Sequence, residues 1–263
     1  MGRIGGAFDR IRASGSPGLV AYVTAGDPDL ARTAEILASL SDNGADVLEV
    51  GVPFSDPLAD GPVIQRASER ALASGTTLRG ALKMIKEHRA RIASPIVLFT
   101  YANPVLRMGE DAFVRAAADA GVDGVLMLDL PVEEAGPFRG RLVDAGIDPI
   151  FLLSPTTTDA RIQASAKLGA GFLYVISRLG VTGARNQVAQ NAEPLARRIR
   201  GLSDLPLALG FGISRPEHVA EVGRWVDAAV VGSALVNVIA EHGQAPDVAA
   251  RAGAYVRWLK GQA

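Results

Sequence analysis

The chain has 263 residues, 48% of them hydrophobic, a formal net charge of −1 and no cysteine. A near-neutral balance gives no basis for binding nucleic acid or an anionic membrane surface, and the lack of cysteine excludes disulfides, thiolate nucleophiles and cysteine-ligated metals. No apolar run reaches the ~18 residues of a membrane span, and the length suits one large core, residues 1–263 forming a single domain.

Taken in chain order, Arg3–Ala13 reads as a helix ahead of the first strand. The segment Met1–Phe8 lacks a hydrophobic signal core, and Gly6 occupies the Ser/Thr position of a myristoylation signal, so a cytoplasmic protein is expected. Short apolar runs then alternate with helical patterns. The strands are expected at Leu19–Thr24, Asp46–Gly51, Ile96–Tyr101, Gly124–Leu130, Pro149–Ser154, Phe172–Ser177, Leu207–Phe211 and Ala228–Gly232. Their near-continuous Val, Ile and Leu content is that of strands covered on both faces. Between the first two, Asp29–Asn43 carries Leu30, Ala34, Leu37 and Ala38 at helical spacing. Gly44, Gly121, Gly146 and Gly169 stand where helices end in a left-handed residue. A helix begins at Val63, and Thr77–Ile92 reads as an inserted one after it. Eight parallel strands with intervening helices specify a (β/α)8, or TIM, barrel; a doubly wound sheet, the alternative, would need fewer strands or a second domain.

The stretch Val47–Gln65 is abnormal for a plain strand-to-helix connection. In a strand of period 2, Glu49 shares a face with Val47 and Gly51. A carboxylate there must be paired, protonated or used. The bland alternative is a structural carboxylate that caps nearby amides. The loop beyond it carries Pro53, Pro57 and Pro62, which stiffen it, and two acids, Asp56 and Asp60. In a barrel the active site lies at the C-terminal ends of the strands, which brings Glu49, Tyr101, Asp129 and the long loop Arg178–Asn191 to one mouth. Long glycine-bearing loops at such a mouth are often lids. Within it Thr182 can donate a hydrogen bond to Asp56 of the loop after the second strand, or merely cap a local turn.

Gly210-Phe211-Gly212-Ile213-Ser214 follows the seventh strand, and Gly232-Ser233 follows the eighth. Loops at these two positions commonly hold a phosphate, with glycine admitting backbone amides and a helix N-terminus supplying positive potential. The pattern is not a Walker A motif, and Arg215 stands where a dinucleotide fingerprint needs its third glycine, so no nucleotide cofactor is expected. A Schiff-base aldolase needs a lysine at a strand end, whereas Lys83, Lys86, Lys167 and Lys260 all lie in helical segments. A metal aldolase needs a ligand cluster, whereas His88, His218 and His242 read as surface imidazoles of helices. Carboxylate acid/base chemistry remains, with Glu49, Asp60 and Asp129 as candidates.

Leu48-Glu49-Val50-Gly51-Val52-Pro53-Phe54-Ser55-Asp56-Pro57-Leu58-Ala59-Asp60-Gly61-Pro62, with Tyr101-Ala102-Asn103-Pro104, Asp129-Leu130-Pro131-Val132-Glu133-Glu134, Ser177-Arg178-Leu179-Gly180-Val181-Thr182-Gly183 and Gly210-Phe211-Gly212-Ile213-Ser214, resembles the tryptophan synthase alpha subunit family over essentially the full chain. The resemblance implies a lyase that splits indole-3-glycerol phosphate into indole and glyceraldehyde 3-phosphate in tryptophan biosynthesis. It implies no cofactor in this chain, and as partner a tryptophan synthase beta subunit that carries pyridoxal phosphate, in an alpha2-beta2 heterotetramer. By that pattern Glu49 and Asp60 are catalytic. Tyr22, Phe99, Tyr101, Tyr174, Thr182 and Phe211 bind the substrate, and Gly183, Gly212, Gly232 and Ser233 bind its phosphate. The chain departs from the pattern at Tyr22, where phenylalanine is expected, and in Asn103–Arg107, on the face expected to meet the beta subunit. The competing functions are another phosphate-binding barrel enzyme, a free-standing lyase that releases indole, and a subunit that only activates its partner.

Overall fold

The computed structural model describes residues 2–176, 192–210 and 212–262. Eight parallel strands, β1 (Gly18–Thr24), β2 (Val47–Gly51), β3 (Ile96–Thr100), β4 (Gly124–Met127), β5 (Asp148–Leu153), β6 (Leu173–Ile176), β7 (Leu207–Gly210) and β8 (Ala228–Val231), close into a barrel in sequence order. Closure rests on β1 pairing with β8 through Gly18 and Ala228. An open doubly wound sheet is therefore excluded, and the (β/α)8 expectation holds.

The period-2 alternation sorts each strand into two environments. Val20, Val47, Val97, Leu126, Ile150, Ala208, Ala228 and Val230 face inward and pack together. Leu19, Ala21, Val23, Leu48 and Val50 face outward and pack beneath the helices. Helix α1 (Arg3–Ser14) closes the N-terminal end of the barrel with Ile4, Ala7, Phe8 and Ile11. The Phe8 ring meets that of Phe172 at 5.3 Å between centroids. An aspartate stitches three strand starts. Asp46, Asp123 and Asp227 each accept the first free N–H of the preceding strand, from Leu19, Ile96 and Leu207. Each also meets a cation, respectively Lys260, Arg89 and Arg200.

The outer layer is α2 (Leu30–Asp42), α3 (Pro62–Ala73), α4 (Leu78–His88), α5 (Ala102–Met108), α6 (Glu110–Ala120), α7 (Gly136–Asp144), α8 (Asp159–Leu168), α9 (Ala192–Arg200), α10 (Pro216–Val222), α11 (Ser233–His242) and α12 (Val248–Leu259). The inserted helix expected over Thr77–Ile92 is α4. Thr77 caps it by accepting from the Gly80 N–H at 3.1 Å, and it gives way to a 3-10 turn at Arg89–Arg91. Two further additions were not expected. Helix α5 fills the connection after β3, and two helices rather than one follow β8, α12 packing on α2. Gly44, Gly121 and Gly146 adopt positive φ as expected of helix ends. Gly169 does not: it is extended at φ −79°, and glycine is needed there because a Cβ would come within 2.7 Å of the Ser165 carbonyl.

Candidate active site

Inward-facing residues at the C-terminal ends of the strands build the mouth. The second layer of the barrel interior places Tyr22 beside Glu49 in register, and Gly51 beside Phe99. The Tyr22 and Phe99 rings meet edge to face at 5.4 Å, and Phe99 and Tyr174 stand 6.4 Å apart. These three rings, with Glu49, Asp60, Ile64, Ile176, Ile213 and Val230, line a cavity whose empty volume, counting the part open to solvent, is about 580 Å³. Gly210, Gly212, Gly232, Ser233 and Ala234 complete its wall.

Glu49 is fully buried, and neither of its carboxylate oxygens has a hydrogen-bond partner among the described residues. This removes the reading of a structural carboxylate that caps nearby amides. Burial, reinforced by the charge of Asp60, pushes its carboxyl up to about 8. Asp60 sits at the base of α3 and is also buried. Its Oδ2 accepts from the Tyr101 hydroxyl at 3.0 Å, and the Tyr101 oxygen accepts in turn from the Ala59 N–H at 3.1 Å. Burial pushes Asp60 up to about 6 while the Tyr101 bond opposes the rise. Gln65 fixes the approach to it, donating to the Asp60 carbonyl at 2.9 Å. At pH 7 the two neighbouring acids are thus held in different states, Glu49 protonated and Asp60 ionised.

The extra hydroxyl of Tyr22 has a partner, Thr24 Oγ1 at 3.3 Å. Two glycines make room for the tyrosines: a Cβ on Gly51 would lie 2.1 Å from the Tyr22 hydroxyl, and one on Gly210 would lie 2.7 Å from that of Tyr174. At the opposite side of the cavity, Gly212 takes a positive φ of 77°. Gly232 caps α11, whose first backward bond runs from the Val236 N–H to the Gly232 carbonyl at 3.0 Å. The amides of Ser233, Ala234 and Leu235 precede that bond, and the first turn carries no acid, so this helix start can receive an anion.

Of the residues singled out from the sequence, Tyr22, Glu49, Asp60, Phe99, Tyr174, Gly212, Gly232 and Ser233 converge on this cavity. Tyr101 stands behind Asp60, its ring 5.1 Å from that of Phe54, rather than on the cavity wall. Asp56 is exposed and accepts from its neighbour Ser55 at 2.6 Å. Thr182, Gly183 and Phe211, with the loop Arg178–Asn191, lie outside the described residues. Asp129 is not part of the cavity: it is exposed, and its Oδ1 accepts the Ala102 N–H at 2.7 Å, where α5 starts. His218 is not a surface imidazole but is buried, its Nδ1 accepting from the Ser214 N–H at 3.3 Å. Sequence reasoning missed Ile64, Ile176, Ile213 and Val230. The strand alternation that places Ala228 inward could have found Val230, while nothing local marks Ile64 of α3. Among the described residues no group of three His, Cys, Asp or Glu is arranged to hold a metal ion.

Fold and mouth together define a (β/α)8-barrel enzyme with its chemistry at the C-terminal face of the strands. The family model of the tryptophan synthase alpha chain matches residues 8–260. A tryptophan synthase alpha chain of Burkholderia thailandensis is 50% identical over 251 residues, covering 95% of this chain and 92% of its own. That of Solibacter usitatus is 46% identical over 260 residues, covering 99% and 97%. Among solved structures, tryptophan synthase of Mycobacterium tuberculosis superposes with a TM-score of 0.91 at 36% identity, covering 99% of this chain and 98% of that one. The a2b2 complex of Pyrococcus furiosus gives 0.87 at 41% identity, covering 94% and 98%. The chain belongs to the tryptophan synthase alpha chain family.

Proposed function

We propose that this chain cleaves indole-3-glycerol phosphate to indole and glyceraldehyde 3-phosphate, as the alpha subunit of a tryptophan synthase in L-tryptophan biosynthesis. The observation that carries the reading is the buried Glu49 carboxyl, without a hydrogen-bond partner among the described residues, in an aromatic cavity that it shares with the Tyr101-bonded Asp60.

The indole ring lies among Tyr22, Phe99 and Tyr174, an apolar wall suited to a flat aromatic system. The phosphate lies at Gly212, Gly232 and Ser233, held by backbone amides and the start of α11. Asp60, kept in place by Tyr101, accepts a hydrogen bond from the indole N–H. Glu49 enters the reaction protonated and delivers its proton to the ring carbon that bears the glycerol chain. As positive charge builds on the ring nitrogen, the Asp60 carboxylate stabilises it. The Glu49 carboxylate then takes the proton of the adjacent glycerol hydroxyl. The carbon–carbon bond breaks, its electron pair restores the aromatic ring, and the hydroxyl carbon becomes the aldehyde. Glu49 ends protonated, so the enzyme gains and loses no net proton. These steps assign no cofactor to this chain; pyridoxal phosphate belongs to the partner.

The partner is a tryptophan synthase beta subunit, in an alpha2-beta2 assembly of the kind named for the Pyrococcus furiosus relative. Leu58, 88% exposed, and Leu106, 61% exposed, support a protein contact near the mouth. Of the other apolar residues of this loop, Pro62 is exposed, whereas Pro53 is buried and Phe54 is partly covered by Tyr101. No helix among the described residues is long and apolar enough to cross a membrane.

The test is indole formation from indole-3-glycerol phosphate by the purified chain, with and without a beta subunit. Wild-type turnover that is stimulated by the partner and lost in Glu49→Gln is expected. Turnover unaffected by that substitution would remove the acid/base assignment, and no indole under any condition would remove the lyase.

A further inference from the structure

The segment Gly212–Ser214 carries two residues of the cavity wall, Gly212 and Ile213, and leads into α10. Gly212 has a left-handed backbone, and Ile213 is 2% exposed, wedged between cavity and core. The following residue, Ser214, is gripped through both of its backbone polar groups. The Ser214 N–H donates to His218 Nδ1 at 3.3 Å, and the Ser214 carbonyl accepts from the Tyr255 hydroxyl at 2.9 Å. His218 lies on α10 and Tyr255 on α12, 41 positions beyond Ser214, so two helices of the outer layer meet on the two consecutive peptide units that flank the Ser214 Cα. His218 is buried although most histidines are not, and it spends its ring nitrogen on this backbone amide. Neither side chain lines the cavity.

We propose that His218 and Tyr255 are positioning residues for the phosphate site, fixing the two peptide units that flank Ser214 so that Gly212 keeps its amide and its open backbone aimed at the anion. The idea deepens the function proposed above and rests on its phosphate-binding wall. A short loop with one left-handed glycine has other backbone states near in energy. Anchoring the peptide two residues on removes those states before the ligand arrives, which is preorganisation. The acceptor for the Ser214 N–H holds the peptide unit before its Cα and the donor to its C=O holds the unit after it, so together they fix the backbone turn at Ser214, which neither does alone. Each partner is a side chain, so each can be removed without touching the loop.

The experiment measures binding of inorganic phosphate to the full-length chain by calorimetry, alongside KM for indole-3-glycerol phosphate and the urea midpoint. Tyr255→Phe deletes one hydroxyl and keeps the ring. His218→Leu deletes the acceptor and keeps a buried apolar group, and His218→Gln restores an acceptor oxygen. Losing one such bond is expected to weaken phosphate binding and raise KM together by about three- to tenfold in Tyr255→Phe and His218→Leu. His218→Gln should recover most of the loss. A lowered urea midpoint with phosphate affinity unchanged would mean that the clamp only stabilises the fold, and the proposal would fail. Because calorimetry needs no turnover, a wild-type chain that binds phosphate but makes no indole would overturn the lyase reading and leave the clamp standing.

Discussion

Replacing Glu49 by glutamine should slow the reaction and, at neutral pH and above, stabilise the protein. Folding moves this carboxyl from its ordinary 4.5 to about 8 because it is buried and lies near Asp60. Between those values the folded chain holds a proton that the unfolded chain has released. Stability is therefore highest below pH 4.5, on this group's account, and falls as pH rises towards 8. At about 1.4 kcal/mol per pH unit, roughly 3 kcal/mol is lost between pH 5 and pH 8. Glutamine has the same shape and no proton to lose, so its stability stays flat over that interval. Asp60 also has a raised value, but it is present in both proteins and its share largely cancels. The assay is urea unfolding of the wild type and Glu49→Gln at pH 5, 6.5 and 8, read as the difference between the two proteins at each pH. That difference should shift by roughly 3 kcal/mol in favour of the variant, while indole formation falls at least ~100-fold, the usual worth of a positioned acid/base. Curves that run parallel from pH 5 to pH 8 would show that the fold does not hold Glu49 protonated. The general-acid role would fall with that result.

The same two groups predict a bell-shaped dependence of kcat/KM on pH, rising as Asp60 ionises near 6 and falling as Glu49 ionises near 8, with both limbs belonging to the coupled pair; a flat profile across this range would contradict it. Tyr101→Phe removes the bond that holds Asp60 down, so the acid limb should move to higher pH and kcat/KM at pH 7 should drop about tenfold, as for a hydrogen bond to a charged group. Gly51→Ala puts a methyl group 2.1 Å from the Tyr22 hydroxyl, and urea unfolding should show a loss of about 1–3 kcal/mol from overpacking. Gly212→Val and Gly232→Val should both raise KM for the phosphate ester. The larger drop in urea midpoint should come from the first, since of these two only Gly212 has a positive φ, and a Cβ on Gly232 comes no closer than 3.8 Å to any described neighbour.

Period and punctuation determined a good deal of this protein by themselves. Apolar runs covered on both faces determined eight strands, and the alternation within β2 determined that Glu49 shares the inward face of Val47. The glycines of the seventh and eighth connections singled out Gly212 and Gly232, which the cavity wall does contain. These signals are local: they depend on a few neighbouring residues and on the fixed geometry of strand, helix and turn. Depth and partnership are not local, and only the tertiary structure decided them. Nothing near Asp60 shows that the hydroxyl bonding to it comes from Tyr101, 41 residues on, and nothing near His218 shows that it is buried against Ser214. Helix α5 and the cavity-lining Ile64 went unseen for the same reason, since their roles come from what packs against them. The difference in acidity between Glu49 and Asp60 was likewise decided by the fold. A carboxyl's pKa depends on the water it loses and the groups it meets, and barrel closure buried Glu49 with no hydrogen-bond partner among the described residues while it gave Asp60 the Tyr101 hydroxyl.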